Sequence, residues 1–385
     1  MKISCIGGGP ASLYFSLLVK KANPDWDITV YEQNPDSVTW GFGVVFSDET
    51  METFKDADFE TYKAITDSFV HWDAIDVFHK GEKVTSGGHG FAGMQRLKLL
   101  QILEARAKEL GVTMIHDVVV DSLDDHQDAD LIVAADGIAS FIRDQHVEEF
   151  GADVVMRPNK FTWLGSTKAF DTFTFYFNQN EDGLWRAHCY QYMPGNSTFI
   201  IETTEDTWRR AGLENATEED TVAYCAKVFE KELGDDTLIT NNSVWRTFPR
   251  VKNAKYYHKN IVLLGDALHT AHFSIGSGTK LAMEDAVALH DAIAENPGDL
   301  SKAFPAFQEK REPDVDALQR AAQVSMEWFE NVERYHDVME PMQFSYALLT
   351  RSLRINHENL ALRDDKLVSE VDDWVAGKAA EQSGV

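Results

Sequence analysis

The stretch KISCIGGGPAS, residues 2–12, decides how the rest of the chain is read. Lys2 to Ile6 is a short apolar run that ends at glycine, the pattern of a strand buried in a parallel sheet. Gly7-x-Gly9-x-x-Ser12 follows, and then Leu13, Tyr14, Leu17, Leu18 and Val19 recur at helical spacing. A second strand, Ile28 to Tyr31, ends at Glu32. Strand, glycine turn, helix, strand and acid is the order in which a chain cradles a dinucleotide. The first glycine permits a tight turn and the second lets the backbone approach a pyrophosphate on the helix N-terminus. The acid then meets a ribose hydroxyl. Gly7, Gly9, Pro10, Ala11, Ser12 and Glu32 are therefore candidate cofactor contacts. Ser12 replaces a third glycine that serves helix–strand packing, and serine is small enough to fit. Glu32 favours a free 2′-hydroxyl, hence FAD or NAD over NADP.

Two further marks of the same kind lie downstream. Leu131 to Ala135 is a buried strand ending in Asp136-Gly137, with Ser140 and Arg143 beyond. Asn260 to Leu264 is a third, ending in Gly265-Asp266, then His269, then Gly276-x-Gly278-Thr279 and the helical run Ala282 to Ala286. A carboxylate at a strand's C-terminal edge can hold ribityl hydroxyls. The amides of Gly276 to Thr279 open a helix whose positive end can face developing negative charge on a flavin ring.

Between these marks, residues 160–203 read differently. Phe161 to Gly165, Phe173 to Phe177, Ala187 to Tyr192 and Thr198 to Glu202 are aromatic and rich in strand formers, which predicts an inserted antiparallel sheet. Its inward face would wall an apolar substrate pocket, with Tyr190, Tyr192 and Phe273 as candidate lining and His188 a weaker one. After Gly265-Asp266 the chain turns helical: Ala282 to Ala294, Ala303 to Arg311 and Asp314 to Tyr335 carry apolar stripes with charged outer faces. The small, polar tail beyond Asp373 is expected to fray.

With 385 residues, 44% of them hydrophobic, the chain can bury a large core. A net charge of −27 argues against nucleic acid or an anionic membrane as partner, and against any polyanion that lacks a local basic patch. Arg209-Arg210, Lys227-Lys231 and Arg351-Arg354 are the candidates for such a patch. No N-terminal signal and no membrane-spanning stretch is expected. Cys5, Cys189 and Cys225 lack metal or redox spacing, so no metal is expected and a cytoplasmic location is.

Taken together, the three marks resemble those of the class A flavin-dependent monooxygenases, the group of 4-hydroxybenzoate hydroxylase. Met94-Gln95-Arg96, opening a helix with Leu99, Leu103, Ala107 and Leu110 on one face, resembles the family helix whose arginine contacts FAD. Phe273 stands where the wider family usually has proline. Trp40-Gly41-Phe42-Gly43-Val44-Val45, the run His272 to Thr279, and Trp328-Phe329-Glu330-x-Val332-Glu333 resemble two branches. One is the indole hydroxylase of violacein biosynthesis; the other is the group of salicylyl-CoA 5-hydroxylases and the monooxygenase half of anthraniloyl-CoA monooxygenase. Leu348 to Ser352 with His357 to Leu360 and Leu362 to Asp364 resembles the aryl-CoA branch more closely.

The resemblance implies an α/β fold: a Rossmann-like FAD/NAD(P)-binding domain, an inserted β-sheet substrate domain and C-terminal helices. The expected division is 1–70, 92–155 and 255–300 for FAD, 71–91 and 156–254 for substrate, and 301–385 helical. It also implies FAD bound by the residues above together with Gly43, Val44, Arg96, Asp136, Gly265, Asp266, Gly276, Gly278 and Thr279. NADH or NADPH would be the reductant, and O₂ activated at flavin C4a would hydroxylate an electron-rich ring. The expected substrate is an aryl-CoA thioester, salicylyl-CoA going to gentisyl-CoA. An indole or other free aromatic, or an oxidase or reductase on the same scaffold, is the alternative. His269 and His272 flank the flavin loop and are the candidates for a general base. A homodimer is admitted.

Overall fold

Four of the buried apolar runs become neighbouring parallel strands, and this alone gathers the glycine marks. In the computed structural model, which describes residues 1–47 and 51–383, Ile261–Leu263, Leu131–Ala134, Lys2–Ile6 and Asp27–Tyr31 lie side by side in that order. Thr113–Ile115 extends the parallel sheet beyond Asp27–Tyr31, and Tyr257–His258 closes the other edge antiparallel. Because the strands run the same way, Gly265-Asp266, Asp136-Gly137, Gly7 and Glu32 all emerge at one end of the sheet. That end is where open α/β sheets bind ligands. Helices Pro10–Ala22, Arg96–Leu110 and Gly278–Glu295 pack on one another and bury Leu13, Leu17, Leu99, Leu103, Met283 and Leu289 in a single core with the strands.

The aromatic runs form a second, eight-stranded sheet built on Ala152–Ser166, Asn196–Thr203, Leu184–Met193 and Phe173–Gln179 in spatial order. Its pairings are antiparallel except one: Ile75–His79 joins Phe173–Gln179 in parallel, so the inserted sheet is mixed rather than purely antiparallel. Strand alternation splits Leu184–Met193 cleanly. Trp185, Ala187 and Cys189 face the apolar layer that includes Cys225 and Phe229. Arg186, His188, Tyr190 and Tyr192 take the opposite face, toward the first sheet. A three-stranded sheet of Gly43–Ser47, Phe91–Gln95 and Val70–Trp72 bridges the two.

The C-terminal helices depart from expectation in three ways. Ala303 to Arg311 and Asp314 to Tyr335 are not separate: Leu300–Glu330 runs unbroken through Pro305 and Pro313, and a break comes instead at Asn331. The apolar stripe Phe304, Phe307, Val315, Ala322, Met326 and Phe329 continues across both prolines and is buried along its length. Packing of this stripe outweighs the roughly 3 kcal/mol cost of an interior proline. Residues 374–383, expected to fray, instead continue helix Asp365–Ser383, which is anchored by buried Leu367, Val368 and Val371; the rest of the expected tail lies outside the described residues.

A buried ion pair staples the long helix to the first domain. Arg311 Nε donates to Asp285 Oδ1 at 2.9 Å, and both residues are buried. Burial would raise the Asp285 carboxyl, but His269 and Arg311 hold it below its ordinary value. Arg311→Met leaves that carboxylate without its guanidinium partner, so unfolding free energy in urea should fall by about 3–5 kcal/mol, with no change in which cofactor is bound.

Candidate active site

The first mark folds as its residue types require. Gly7 has φ +100°, and a Cβ there would collide with the carbonyl of Ala135 on the adjacent strand. Gly9 is the N-cap of helix Pro10–Ala22, with Pro10 at its first position and no side-chain cap on its amides. A Cβ on Gly9 would meet nothing within 4 Å. Ser12 is fully buried at the helix–strand contact, as its small size allows. Glu32 Oε2 accepts from the Gly8 amide at 2.7 Å, while its Oε1 accepts from Asn34 N and Nδ2 at 2.8 and 2.6 Å. The acid is thereby held against the glycine turn.

The second and third marks face each other across the same strand ends. Asp136 Oδ2 accepts from the Ile142 amide at 3.3 Å, and Oδ1 is buried with no hydrogen-bond partner among the described residues. Arg143, two per cent exposed, donates to the carbonyls of Ile138 and Ala267 at 3.0 and 3.5 Å, strapping the second loop to the third. Gly265 has φ +60°, and a Cβ there would stand 3.2 Å from the Ala11 side chain. Asp266 is open to solvent although protein surrounds it, as a side chain lining an internal cleft must be. Burial raises its carboxyl, opposed by the charge of Arg96.

Arg96 is the first residue of its helix; its amide donates to Phe42 O at 2.8 Å and its Nε to Thr39 Oγ1 at 3.2 Å. Gly276 has φ +63° and backs on Val45. Gly278 and Thr279 open helix Gly278–Glu295, whose first amides have no side-chain cap. An orphaned Asp136 oxygen, a clear space over Gly9 and two uncapped helix N-termini facing one cleft fit a long, anionic dinucleotide. The residues present therefore suit the cofactor that the sequence implies.

The second sheet closes over this cleft through Gly43. Its amide donates to Thr198 Oγ1 at 3.1 Å, and its carbonyl accepts from the Tyr190 hydroxyl at 2.9 Å. A Cβ on Gly43 would lie 2.5 Å from that of Tyr192, so only glycine fits. Val44, next in the strand, is buried opposite Met94. Tyr190 also stacks on Trp72 and Phe173, with centroids 5.9 and 5.3 Å away. Burial raises its phenol above the ordinary value.

Both candidate base histidines are tied into the scaffold. His269 Nε2 lies 2.8 Å from Asp285 Oδ2, within the Arg311 ion-pair group. His272 Nδ1 faces the Ser274 amide at 3.3 Å and the Ser274 hydroxyl at 2.9 Å. That hydroxyl is 2.8 Å from Ser325 Oγ, which accepts from Arg351 Nε at 2.9 Å. Arginine can only donate, and the Ser274 amide requires Nδ1 to accept. The chain therefore runs one way, Arg351 to Ser325 to Ser274 to His272, and leaves neutral His272 with its proton on Nε2. Burial, reinforced by the charges of Arg351 and Arg186, pushes His272 down to about 3.

Arg351 is not part of a surface patch. It donates to Ser274 O and Leu348 O, both at 2.6 Å, and its guanidinium packs on the rings of Phe175 and Phe329. Burial lowers it to about 10.

Sequence reading missed the charge cluster beside it. Arg186, His188 and Glu202 are each at most one per cent exposed. Asn159 Nδ2 donates to Glu202 Oε1 at 2.6 Å, with Arg186 Nη2 3.5 Å from that oxygen and His188 Nε2 3.3 Å from Oε2. Burial would raise the Glu202 carboxyl; Arg186 and His188 hold it well below its usual range. Among the described residues, Arg186 Nε and Nη1 and both His188 ring nitrogens have no hydrogen-bond partner. Phe273 packs on His188 and on Phe161, 5.4 and 4.9 Å between centroids. The available signal was charged residues at alternate positions of an aromatic strand.

Elsewhere, an open groove of about 930 Å³ along Tyr257, His258 and Gln308 holds none of the expected cofactor residues. His146, Glu149 and His258 bring donor atoms within 4.8 Å of one another beside it. Lys255 and Lys259 line the same groove and oppose a cation.

The family described as FAD binding domain matches residues 1–303. The chain belongs to the FAD-dependent aromatic monooxygenases. It is 39% identical over 383 residues to a salicyloyl-CoA 5-hydroxylase of a Streptomyces species, covering 97% of this chain and 74% of that protein. It is 34% identical to the 3-hydroxy-4-methyl-anthranilyl-[aryl-carrier protein] 5-monooxygenase of Streptosporangium sibiricum, over 94% and 97% of the two chains. The solved 2-methyl-3-hydroxypyridine-5-carboxylic acid oxygenase superposes with a TM-score of 0.72 at 17% identity, over 94% of this chain and 98% of that one, a likeness of fold. The enzyme thus uses FAD with NAD(P)H and O₂ to hydroxylate an aromatic compound. Among the described residues no helix is long and apolar enough to cross a membrane.

Two outcomes follow from this geometry. Asp266→Ala should weaken FAD retention at least about tenfold, the scale of one hydrogen bond to a charged group, as read by flavin absorbance after gel filtration. His272 has an ordinary value of 6.5 unfolded and about 3 folded. The unfolded chain therefore binds the extra proton between those values, and stability is lost as pH falls through that window, by up to about 1.4 kcal/mol per pH unit. Urea midpoints between pH 7 and 4 should fall less steeply in His272→Gln than in the parent enzyme.

Proposed function

We propose that the substrate is an aryl-CoA thioester and the reaction the conversion of salicylyl-CoA to gentisyl-CoA. The observation that carries this reading is similarity along 97% of the chain to a hydroxylase named for salicyloyl-CoA. A second relative is named for a carrier-bound aryl acid, so both names describe an aromatic acid delivered as a thioester.

In this reading Gly7 to Ser12 hold the pyrophosphate, Glu32 a ribose and Asp266 the ribityl chain. Arg96 and Asp136 line the middle of the cofactor, and Gly43, Val44 and Gly276 to Thr279 flank its ring. When bound, FAD carries the reducing equivalents and activates oxygen. The chain's own residues do the rest. Phe161, Phe175, Phe273 and Phe329 exclude water from the ring site, and Tyr190 holds the strand of Gly43 in place.

Arg186 and Arg351 outweigh Glu202 by one positive charge in a buried setting, which favours an ionised ring hydroxyl and so a more electron-rich ring. His188, whose Nε2 lies 3.3 Å from Glu202 Oε2 and whose Nδ1 has no partner among the described residues, would take that proton. His269 and His272 then serve as positioning residues. The reductant is NADH or NADPH. Three buried free cysteines support a cytoplasmic setting, and a homodimer is compatible with it.

Purified holoenzyme should consume NAD(P)H several-fold faster with salicylyl-CoA than without it, and ¹⁸O₂ should place one labelled atom in the product. Stimulation by free aromatics with none by salicylyl-CoA would sink the thioester reading.

A further inference from the structure

The thioester reading leaves the polyanionic end of the substrate without a seat. The net charge of −27 repels it, and screening over about 8 Å at physiological salt means that only a local cation can offset this. Of the basic pairs picked from sequence, Arg209 is spent on Glu205 at 2.6 Å and Arg351 on the carbonyls of Leu348 and Ser274, while exposed Lys227, Lys231 and Arg354 have no aromatic face beside them among the described residues.

A different arginine is free. Arg246 is exposed, stands 5.0 Å from the centroid of the Trp40 ring, and pairs with no carboxylate among the described residues. Its strand neighbour Arg250 shows the usual alternative, an ion pair with Asp153 at 2.6 Å. Trp40 is itself 45% exposed, an unusual state for the largest side chain in a monomer.

The ring is not loosely held. Asn241 Nδ2 donates to the carbonyls of Thr39 and Gly41 at 2.9 and 2.8 Å, gripping the backbone on either side of Trp40. Gly41, at φ +73°, backs onto the indole of Trp163. Exposed Val244 lies two residues before Arg246 on the same stretch, adding apolar surface.

The shelf also lies on a path from the ring site. Arg246 is the register partner of Phe161, so both side chains share the cleft-facing side of the sheet. Phe161 in turn packs on Phe273. The order inward is Trp40 with Arg246, then Phe161, then Phe273.

We propose that Trp40 and Arg246 form the docking point for the nucleotide end of a CoA thioester, the indole stacking the adenine and the guanidinium taking phosphate. The inference rests on the thioester reading. A planar, sequence-tolerant π-face beside a fixed cation is the chemistry that holds a base and its phosphates. A carrier-protein arm shares the phosphopantetheine but lacks the adenosine, so it needs the arginine and not the indole.

Free CoA and 4′-phosphopantetheine serve as probes, titrated calorimetrically into holoenzyme, so the result does not depend on turnover. Trp40→Ala and Arg246→Met should each weaken CoA binding about tenfold, the scale of one lost stack or phosphate contact, with flavin content retained. Trp40→Phe should keep most of the affinity, Arg246→Met should flatten its salt dependence, and Arg209→Met should match the parent. Unchanged CoA affinity in both shelf variants overturns the proposal, as does absence of CoA binding by the parent enzyme. Equal affinity for the two probes, with only Arg246→Met weakening them, overturns the nucleotide assignment in favour of a carrier arm. If the parent enzyme hydroxylates salicylyl-CoA while the shelf variants bind CoA normally, the shelf alone fails. If it neither binds CoA nor hydroxylates the thioester, the underlying reading fails too.

Discussion

The two halves of the molecule meet where a side chain is missing. Gly43 is pressed against Tyr192 so closely that no Cβ fits, and its amide and carbonyl are both taken by Thr198 and Tyr190 of the opposite sheet. One peptide strand therefore belongs to the cofactor cleft by sequence and to the substrate wall by bonding. Arg96 and Phe42 are registered by the same contact, since the Arg96 amide donates to Phe42 O. Any slip of the sheet would move the wall, the arginine and the strand together, which is why the aromatic box of Trp72, Phe173 and Tyr190 can be packed tightly.

A second constraint comes from the other side. The C-terminal helices reach the loop of Phe273 through Arg351, which holds Ser274 by its carbonyl and by way of Ser325. This one cation orders the hydroxyls between itself and His272, so the loop has a defined proton arrangement and not several exchanging ones. The cost is a half-buried guanidinium, offset by carbonyl oxygens, the faces of Phe175 and Phe329 and the distant charge of Glu202. The anchor thus comes from helices that follow the matched region 1–303.

Much of this was legible in sequence, for local reasons. A glycine turn between an apolar strand and an amphipathic helix has few structural solutions, so Gly7, Glu32, Asp136 and Asp266 could each be placed at a strand end from sequence, and the parallel order of the strands then gathers them. The aromatic runs read as strands because their strand-forming residue types are also a local signal. What was not legible depends on tertiary contacts. His269 and His272 could be named as base candidates from their place beside a loop, but their partners, Asp285 and Ser274 backed by Ser325, are set by how two helices cross. Arg351 and Arg354 looked alike, and only one is enclosed. Pro313 reads as a helix break unless the buried stripe that spans it is known.

The distribution of charge follows from the separation of tasks. Chemistry on an aromatic ring needs a dry site, whereas a nucleotide tail must remain hydrated over most of its length. In the proposed reading the ring end is accordingly enclosed by phenylalanines, with a single excess cation from Arg186 and Arg351 over Glu202. The outer shelf keeps its cation in water on an exposed indole. An acidic surface does not conflict with an anionic substrate under this arrangement. Repulsion at long range is screened, so under the proposed reading local arginines decide where the ligand settles, and Arg186 and Arg246 lie on the face of the sheet that Gly43 joins to the cleft of the glycine marks.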